Sequence, residues 1–409
     1  MMRVWIDAEG AEKAPALFGL SPVERHLRTL AKLKTPPGTV VLSGPSVRVP
    51  ATPAGLAVEA RAEAGSVAER LARFLAEAPG PVLVLDGAAA VDPRLVAHLM
   101  ADGPDVAAFG GEGVERAVAL RLTGTRAGDL GHEPDLLRLA DRLVASGAVR
   151  ELAPEDMPSF ITNLRRSLPF WLFRVPDEAA RDARERWMFQ SNYKGSTDFL
   201  TKWVYPPLVW VLVKFCCRHR IHPNTVTILS TILTFAAVPC FVEGWFWTGL
   251  VMAFAMTVLD SVDGKVARVT LTDSAFGNVL DHGLDIVHPP LWYLGWAWGL
   301  IETRGAELWL WTAGLWLFGF YVADRIVLGI AKASFGRGLH AVTRLDGAVR
   351  TWIARRNTNL VIFAVGLALG YPAEAFLAVV AWQGVTMAWH AFRTAWLIAR
   401  PPAALSQGT

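Results

Sequence analysis

Four aspartates interrupt a strongly apolar stretch of this chain. They fall in Asp260-Ser-Val-Asp263-Gly264-Lys-Val-Ala267-Arg268 and in Gly277-Asn-Val-Leu-Asp281-His-Gly-Leu-Asp285. An ionised carboxylate inside hydrocarbon is costly unless something compensates it. On helices, Asp260, Asp263, Gly264 and Ala267 share one stripe, and Gly277, Asp281 and Asp285 share another. A short turn near Thr270–Asp273 separates the two segments, so they are expected to pack antiparallel with the stripes facing. Four carboxylates brought together repel one another. Divalent cations remove that conflict, and the hard oxygen ligands of Asp260, Asp263, Asp281 and Asp285 suit Mg²⁺ or Mn²⁺. Such cations can stabilise charge on phosphate oxygens, and a carboxylate beside them can take a hydroxyl proton. Gly264, Ala267 and Gly277 leave room between the backbones, and Arg268 offers a planar cation to a phosphate. The competing structural reading is a set of interhelical ion pairs, for which only Lys265 and Arg268 are close in sequence.

The elements that must carry these residues are apolar. Of 409 residues 53% are hydrophobic, and the 17 Trp lie almost entirely after residue 170. Six apolar stretches lie near 224–242, 245–266, 275–300, 306–331, 356–371 and 374–397. All but the fifth approach or exceed the length that crosses about 30 Å of hydrocarbon. Tyr205–Phe215 is shorter and flanked by Lys214, Arg218, His219 and Arg220, which suits an interfacial amphipathic helix. Lys265, Arg268, Lys332, Arg337, Arg344, Arg350, Arg355 and Arg356 fall on one side of these spans. Glu243, Glu302, Glu307 and Glu374 fall on the other, with Arg304 the lone base. That asymmetry puts the aspartates near the cytoplasmic surface. Trp245, Trp247, Trp296, Trp298, Trp309 and Trp311 are placed as an outer aromatic belt.

Residues 1–160 read differently. Short β-like runs at Val4–Ile6, Thr39–Leu42, Val82–Leu85 and Val106–Phe109 alternate with helical patterns at Val23–Leu33, Val67–Leu75, Pro93–Met100 and Leu136–Val144. Such alternation predicts a soluble α/β domain with a mostly parallel sheet. Residues 161–204 form a charged, aromatic connector, 205–398 the membrane domain, and 399–409 a tail. Acidic residues stand where the apolar core of a signal peptide would be, so the first domain is expected in the cytoplasm. Cys216, Cys217 and Cys240 are too few for a disulfide framework and read as small hydrophobes. Nothing in the net charge of +3 points to nucleic acid.

The segment Asp260–Asp285 resembles the CDP-alcohol phosphotransferase pattern D-x2-D-G-x2-A-R-x8-G-x3-D-x3-D at every fixed position. The resemblance extends over about residues 195–398, with six spans and an interfacial helix before the first. It implies that Asp260, Asp263 and Asp281 hold two metal ions and that Asp285 touches one of them and acts as general base. It also implies that Gly264, Arg268, Ser274 and the segment with Pro223, Asn224 and Thr227 contact the CDP part of a CDP-linked donor. The implied reaction is attack by an acceptor alcohol on the donor's β-phosphorus with release of CMP, in an inner-membrane homodimer. The acceptor stays open. Leu17–Leu27 and Leu83-Val84-Leu85-Asp86-Gly87 resemble sugar-phosphate nucleotidyltransferases. There Asp7, Glu9 and Glu12 stand where a triphosphate would bind, which points to a degenerate, catalytically silent domain.

Other readings use the same residues. An intramembrane prenyltransferase also holds Mg²⁺ and a diphosphate with Asp-rich helices, but does not call for Gly264, Ala267 and Arg268 at these offsets. A non-catalytic scaffold would be free to lose such costly charges. Asp324 and Arg325 suit either a functional site or an ion pair between spans. His340, Arg344, Arg350, Arg355, Arg356 and Asn357 form a basic approach to the fifth span, suited to an anionic headgroup or to setting topology. His288, three residues after Asp285, shares its face.

Overall fold

The computed structural model describes residues 2–162, 164–304 and 308–400. The chain divides into two compact units. One comprises Met1–Thr162, Ser167–Asn192 and Val269–Thr272; the other comprises Asn163–Arg166, Tyr193–Arg268 and Asp273–Thr409.

In the first unit, strands β1 (Arg3–Asp7), β2 (Thr39–Gly44), β3 (Ala57–Ala62), β4 (Pro81–Asp86), β6 (Val106–Gly110), β7 (Ala117–Thr123) and β8 (Arg150–Glu151) form one sheet in the order β3-β2-β1-β4-β7-β6-β8. Only β7 runs antiparallel to its neighbours. The short β5 (Ala89–Val91) pairs with Leu172–Arg174 outside that sheet. Both sheet faces are covered, so its inner strands are continuous apolar runs. Val4 and Ile6 pack with Leu83 and Leu85 on one face, whereas Trp5 packs with Val82 and Val84 on the other. Helices α1 (Pro22–Ala31), α2 (Val67–Ala76), α3 (Pro93–Met100) and α4 (Leu136–Ala145) start where Ser21, Ser66, Asp92 and Asp135 accept first-turn N–H groups. All four expected strands and all four expected helices are present. β3 and β7 are not among the expected strands: β3 is largely exposed, and the apolar residues of β7 are interrupted by Arg121. Helix α5 (Glu178–Ser191) draws much of the connector into this unit, its Glu185 accepting from Phe18 N at 2.6 Å.

The second unit is helical. It comprises α6 (Pro206–Arg218), α7 (Pro223–Val242), α8 (Phe246–Val269), α9 (Ala275–Arg304), α10 (Leu308–Phe335), α11 (Arg344–Val349), α12 (Arg356–Ala368) and α13 (Pro372–Ala399). Each expected apolar stretch is a helix. By length and composition, Pro223–Val242, Trp309–Phe335 and Pro372–Ala399 are able to cross a membrane. The 13-residue α12 is short for a span, and Gly370, with φ +84°, makes the turn into α13. Helices α7 and α9, α9 and α10, α10 and α13, and α12 and α13 pack together. Their shared core is aromatic, with Phe241, Trp292, Trp296, Phe363 and Phe376 all buried. Trp296 departs from the expected belt: it is 0% exposed and stacks on Phe363 at 4.6 Å. Trp245, Trp247, Trp298 and Trp309 do face outward, as do Ile228, Ile232 and Phe235 of α7.

Candidate active site

Helix α8 presents Asp260, Asp263, Gly264, Ala267 and Arg268 over its last turns. Asp263 is 6% exposed, and its Oδ2 accepts from the Thr227 hydroxyl at 2.6 Å. That hydroxyl also lies 3.1 Å from the Pro223 carbonyl, so the start of α7 is tied to the acid. The second oxygen of Asp263 accepts from the backbone N–H of Gly264. Asp263 is thus buried with neutral hydrogen-bond donors. Asp260 is different: its Oδ2 accepts from Arg356 Nη2 at 2.7 Å.

The start of α9 reaches the same end of α7. Ser274 Oγ accepts from Gly277 N at 3.1 Å and lies 3.5 Å from Asn224 Oδ1. A Cβ on Gly277 would sit 3.0 Å from Asn224 Oδ1 and 3.2 Å from Ser274 Oγ, so a larger residue would crowd this junction. On α8, a Cβ on Gly264 would meet Arg268 Nη1 at 3.2 Å. The glycines expected to leave room therefore border the polar groups expected to use it. The α9 backbone is helical through Asp281 and Asp285, and the side chains of both lie outside the described residues.

The structure brings together Pro223, Asn224, Thr227, Asp263, Gly264, Ser274 and Gly277 through these bonds and close approaches. It adds Arg356 and Asp198. Along the chain only Lys265 and Arg268 lie near the acids, whereas Arg356 arrives from α12, far along the chain. Its signal was visible: Arg355 and Arg356 open a helix, the end where the helix dipole disfavours cations. Asp198 is buried and accepts from Asn357 Nδ2 at 2.9 Å and from Thr201 N at 3.1 Å. Burial alone would raise its carboxyl, but Arg355 and these hydrogen bonds outweigh that and hold it below the usual carboxylate range. Lys265 is buried with its Nζ over the Tyr193 ring, 3.0 Å from the centroid, which makes it part of the packing.

The weaker candidates resolve more plainly. Asp324 is buried between Arg325, at 2.8 Å, and His390 of α13, which favours the ion-pair reading. His288 bonds its own helix at Leu284 O, 2.6 Å away, and packs on Trp292. His340 is buried beside Arg350, His390 and Arg355; burial first and those charges second push its imidazole down to about 2.

The donor set suits a hard divalent cation. Asp260 and Asp263 offer carboxylate oxygens one turn apart, and a guanidinium already occupies one of them, which marks the position as one that stabilises positive charge. Among the described residues no group of three or more His, Cys, Asp or Glu converges.

Residues 220–396 match the family described as CDP-alcohol phosphatidyltransferase. The chain is 40% identical over 76 residues to cholinephosphotransferase 1 of Xenopus laevis, covering 16% of this chain and 19% of that protein. It is 36% identical over 69 residues to phosphatidylinositol phosphate synthase of Cutibacterium acnes, covering 17% of this chain and 33% of that protein. It therefore spans about a fifth and about a third of the lengths of these two relatives. Among solved structures, Mycobacterium tuberculosis phosphatidylinositol phosphate synthase with CDP-DAG bound is 20% identical, with a TM-score of 0.39, covering 48% of this chain and 96% of that one. The same enzyme with manganese and citrate gives a TM-score of 0.38 at 21% identity, covering 48% and 91%.

Proposed function

We propose, on the premise that residues 220–396 form a domain of the CDP-alcohol phosphatidyltransferase family, that this chain transfers a phospho-alcohol group from a CDP-linked donor to an acceptor alcohol and releases CMP. The observation that carries this reading is the junction of three segments at one end of the helical unit: Thr227 on Asp263, and Asn224 beside Ser274 and Gly277. In this reading the segment assigned to the nucleotide and the acid-bearing segment meet there.

In this reading Gly264, Arg268, Ser274, Pro223, Asn224 and Thr227 seat the cytidine diphosphate, with Arg268 countering phosphate charge. Asp260, Asp263, Asp281 and Asp285 would hold two Mg²⁺ or Mn²⁺ ions, which supply charge stabilisation for the attacking and leaving oxygens. Thr227 fixes the rotamer of Asp263, so that its oxygens are oriented before substrate arrives. Asp285 takes the proton from the acceptor hydroxyl as the new P–O bond forms and the bond to CMP breaks.

The helical unit sits in the inner membrane through six spans, with α6 along the interface and the aspartates on the cytoplasmic side, and the protein acts as a homodimer. The sheet unit is a nucleotidyltransferase-like domain without catalysis of its own, because its carboxylates are already paired with arginines. Purified protein supplied with Mn²⁺, a membrane extract and candidate CDP-linked donors should release CMP and form a product whose mass identifies the acceptor. Absence of CMP with every donor, or CMP release undiminished in Asp263→Asn, would rule the reading out.

A further inference from the structure

Arg356 lies at the first turn of α12, where four N–H groups point outward and the dipole disfavours a cation. Its position is nonetheless fixed. The next residue, Asn357, donates to Asp198 Oδ1 at 2.9 Å and lies 3.3 Å from Thr201 Oγ1. Two residues further, Asn359 donates to Tyr293 of α9 at 2.8 Å. The start of α12 is thus tied on two sides by side chains that do not involve the acids. From that anchored turn Arg356 extends Nη2 to Asp260 Oδ2. Both side chains are mostly shielded, at 15% and 25% exposure, so the charges interact with little screening.

A guanidinium and a divalent cation seek the same carboxylate, and each repels the other. We propose that Arg356 is the resident counter-ion of Asp260, a residue that a divalent cation must displace and that thereby sets the site's metal affinity. This inference rests on the metal-binding role given to Asp260 above. When metal is absent, Arg356 keeps Asp260 from being an uncompensated charge in a shielded site. When metal binds, the guanidinium is released from the carboxylate. Arg356 is a positioning residue in this scheme, acting on the metal through Asp260.

Mn²⁺ binding to the full chain in detergent, followed by electron paramagnetic resonance, tests this without any turnover. Arg356→Gln should lower the Mn²⁺ dissociation constant about tenfold or more, which corresponds to about 1.4 kcal/mol. The rise in Tm that Mn²⁺ produces should grow in the same variant, because the metal-free form loses its internal cation. Arg356→Lys, which keeps a charge, should remain near the wild type. In an Asp260→Asn background, Arg356→Gln should change nothing further. Arg356→Met, which keeps the aliphatic stem, serves the same purpose if the Gln variant does not fold. Unchanged or weaker Mn²⁺ binding in the neutral variants, or an equal effect with Asp260→Asn, overturns the proposal. A wild-type chain that binds no Mn²⁺ would instead sink the metal reading beneath it.

Discussion

In the sheet unit, Asp7 and Asp86 stand at the carboxyl ends of the adjacent strands β1 and β4, and each meets a guanidinium. Arg70 reaches Asp7 at 2.9 Å and Glu9 at 2.7 Å, and Arg174 reaches Asp86 at 2.6 Å. In the helical unit, Asp260 has an arginine partner, whereas Asp263 accepts, among the described residues, from a hydroxyl and an amide. Open α/β sheets bind ligands beyond the carboxyl ends of strands where the order reverses, and β1 and β4 flank such a point. There the internal arginines already occupy the acids. In the sheet unit a buried acid that keeps its own arginine is a structural member, whereas the arginine on Asp260 is one that a metal would displace. A buried acid given neutral, orienting donors is left available for a cation from outside, at a cost in stability that function must justify.

That contrast predicts opposite outcomes for matched substitutions. Removing the proposed base, Asp285→Asn, should cut CMP release about 10²- to 10⁴-fold, whereas Asp86→Asn should leave it within about twofold; a comparable loss from both erases the distinction. Arg70→Ala removes the donor shared by Asp7 and Glu9 and should cost about 1–3 kcal/mol in the unfolding of the sheet unit, followed by denaturant titration. Activity per folded molecule should hold. Thr227→Val removes the donor that orients Asp263 and should weaken Mn²⁺ binding about 10- to 100-fold. Unchanged affinity would make that hydroxyl a packing feature only.

The smallest effect concerns pH. Burial pushes the Asp7 carboxyl up to about 7, against the pull of Arg70 and the Glu9 amide. The folded chain therefore holds a proton that the unfolded chain has released above its ordinary value of 3.8. By linkage, the contribution of Asp7 to stability is full below that value and declines as pH rises through about 7. The stability of the sheet unit should accordingly fall between about pH 4 and 7 in the wild type, followed by denaturant titration, and Asp7→Asn should flatten the dependence.

Much of this was legible along the chain. The expected strands and helices of the first unit emerged because their apolar runs and caps are local signals. β3 and β7 stayed hidden: Ala57–Ala62 carries Glu59 and Arg61, and Ala117–Thr123 carries small residues and Arg121, so pairing with neighbours rather than propensity makes them strands. Trp296 was read as belt because its place near a span end is visible in sequence, while the face it turns inward is set by packing on Phe363.

The sequence by itself determined the spacing of the aspartates and glycines on α8 and α9, because helical periodicity converts offsets of three and four into a shared face. It also determined which stretches are too apolar to stand in water. Only the tertiary structure decided which charge sits on which acid. Arg356 meets Asp260 across 96 positions of chain, and Arg70 meets Asp7 across 63. Ion pairing at such separations depends on how helices and strands pack, and no local pattern encodes that.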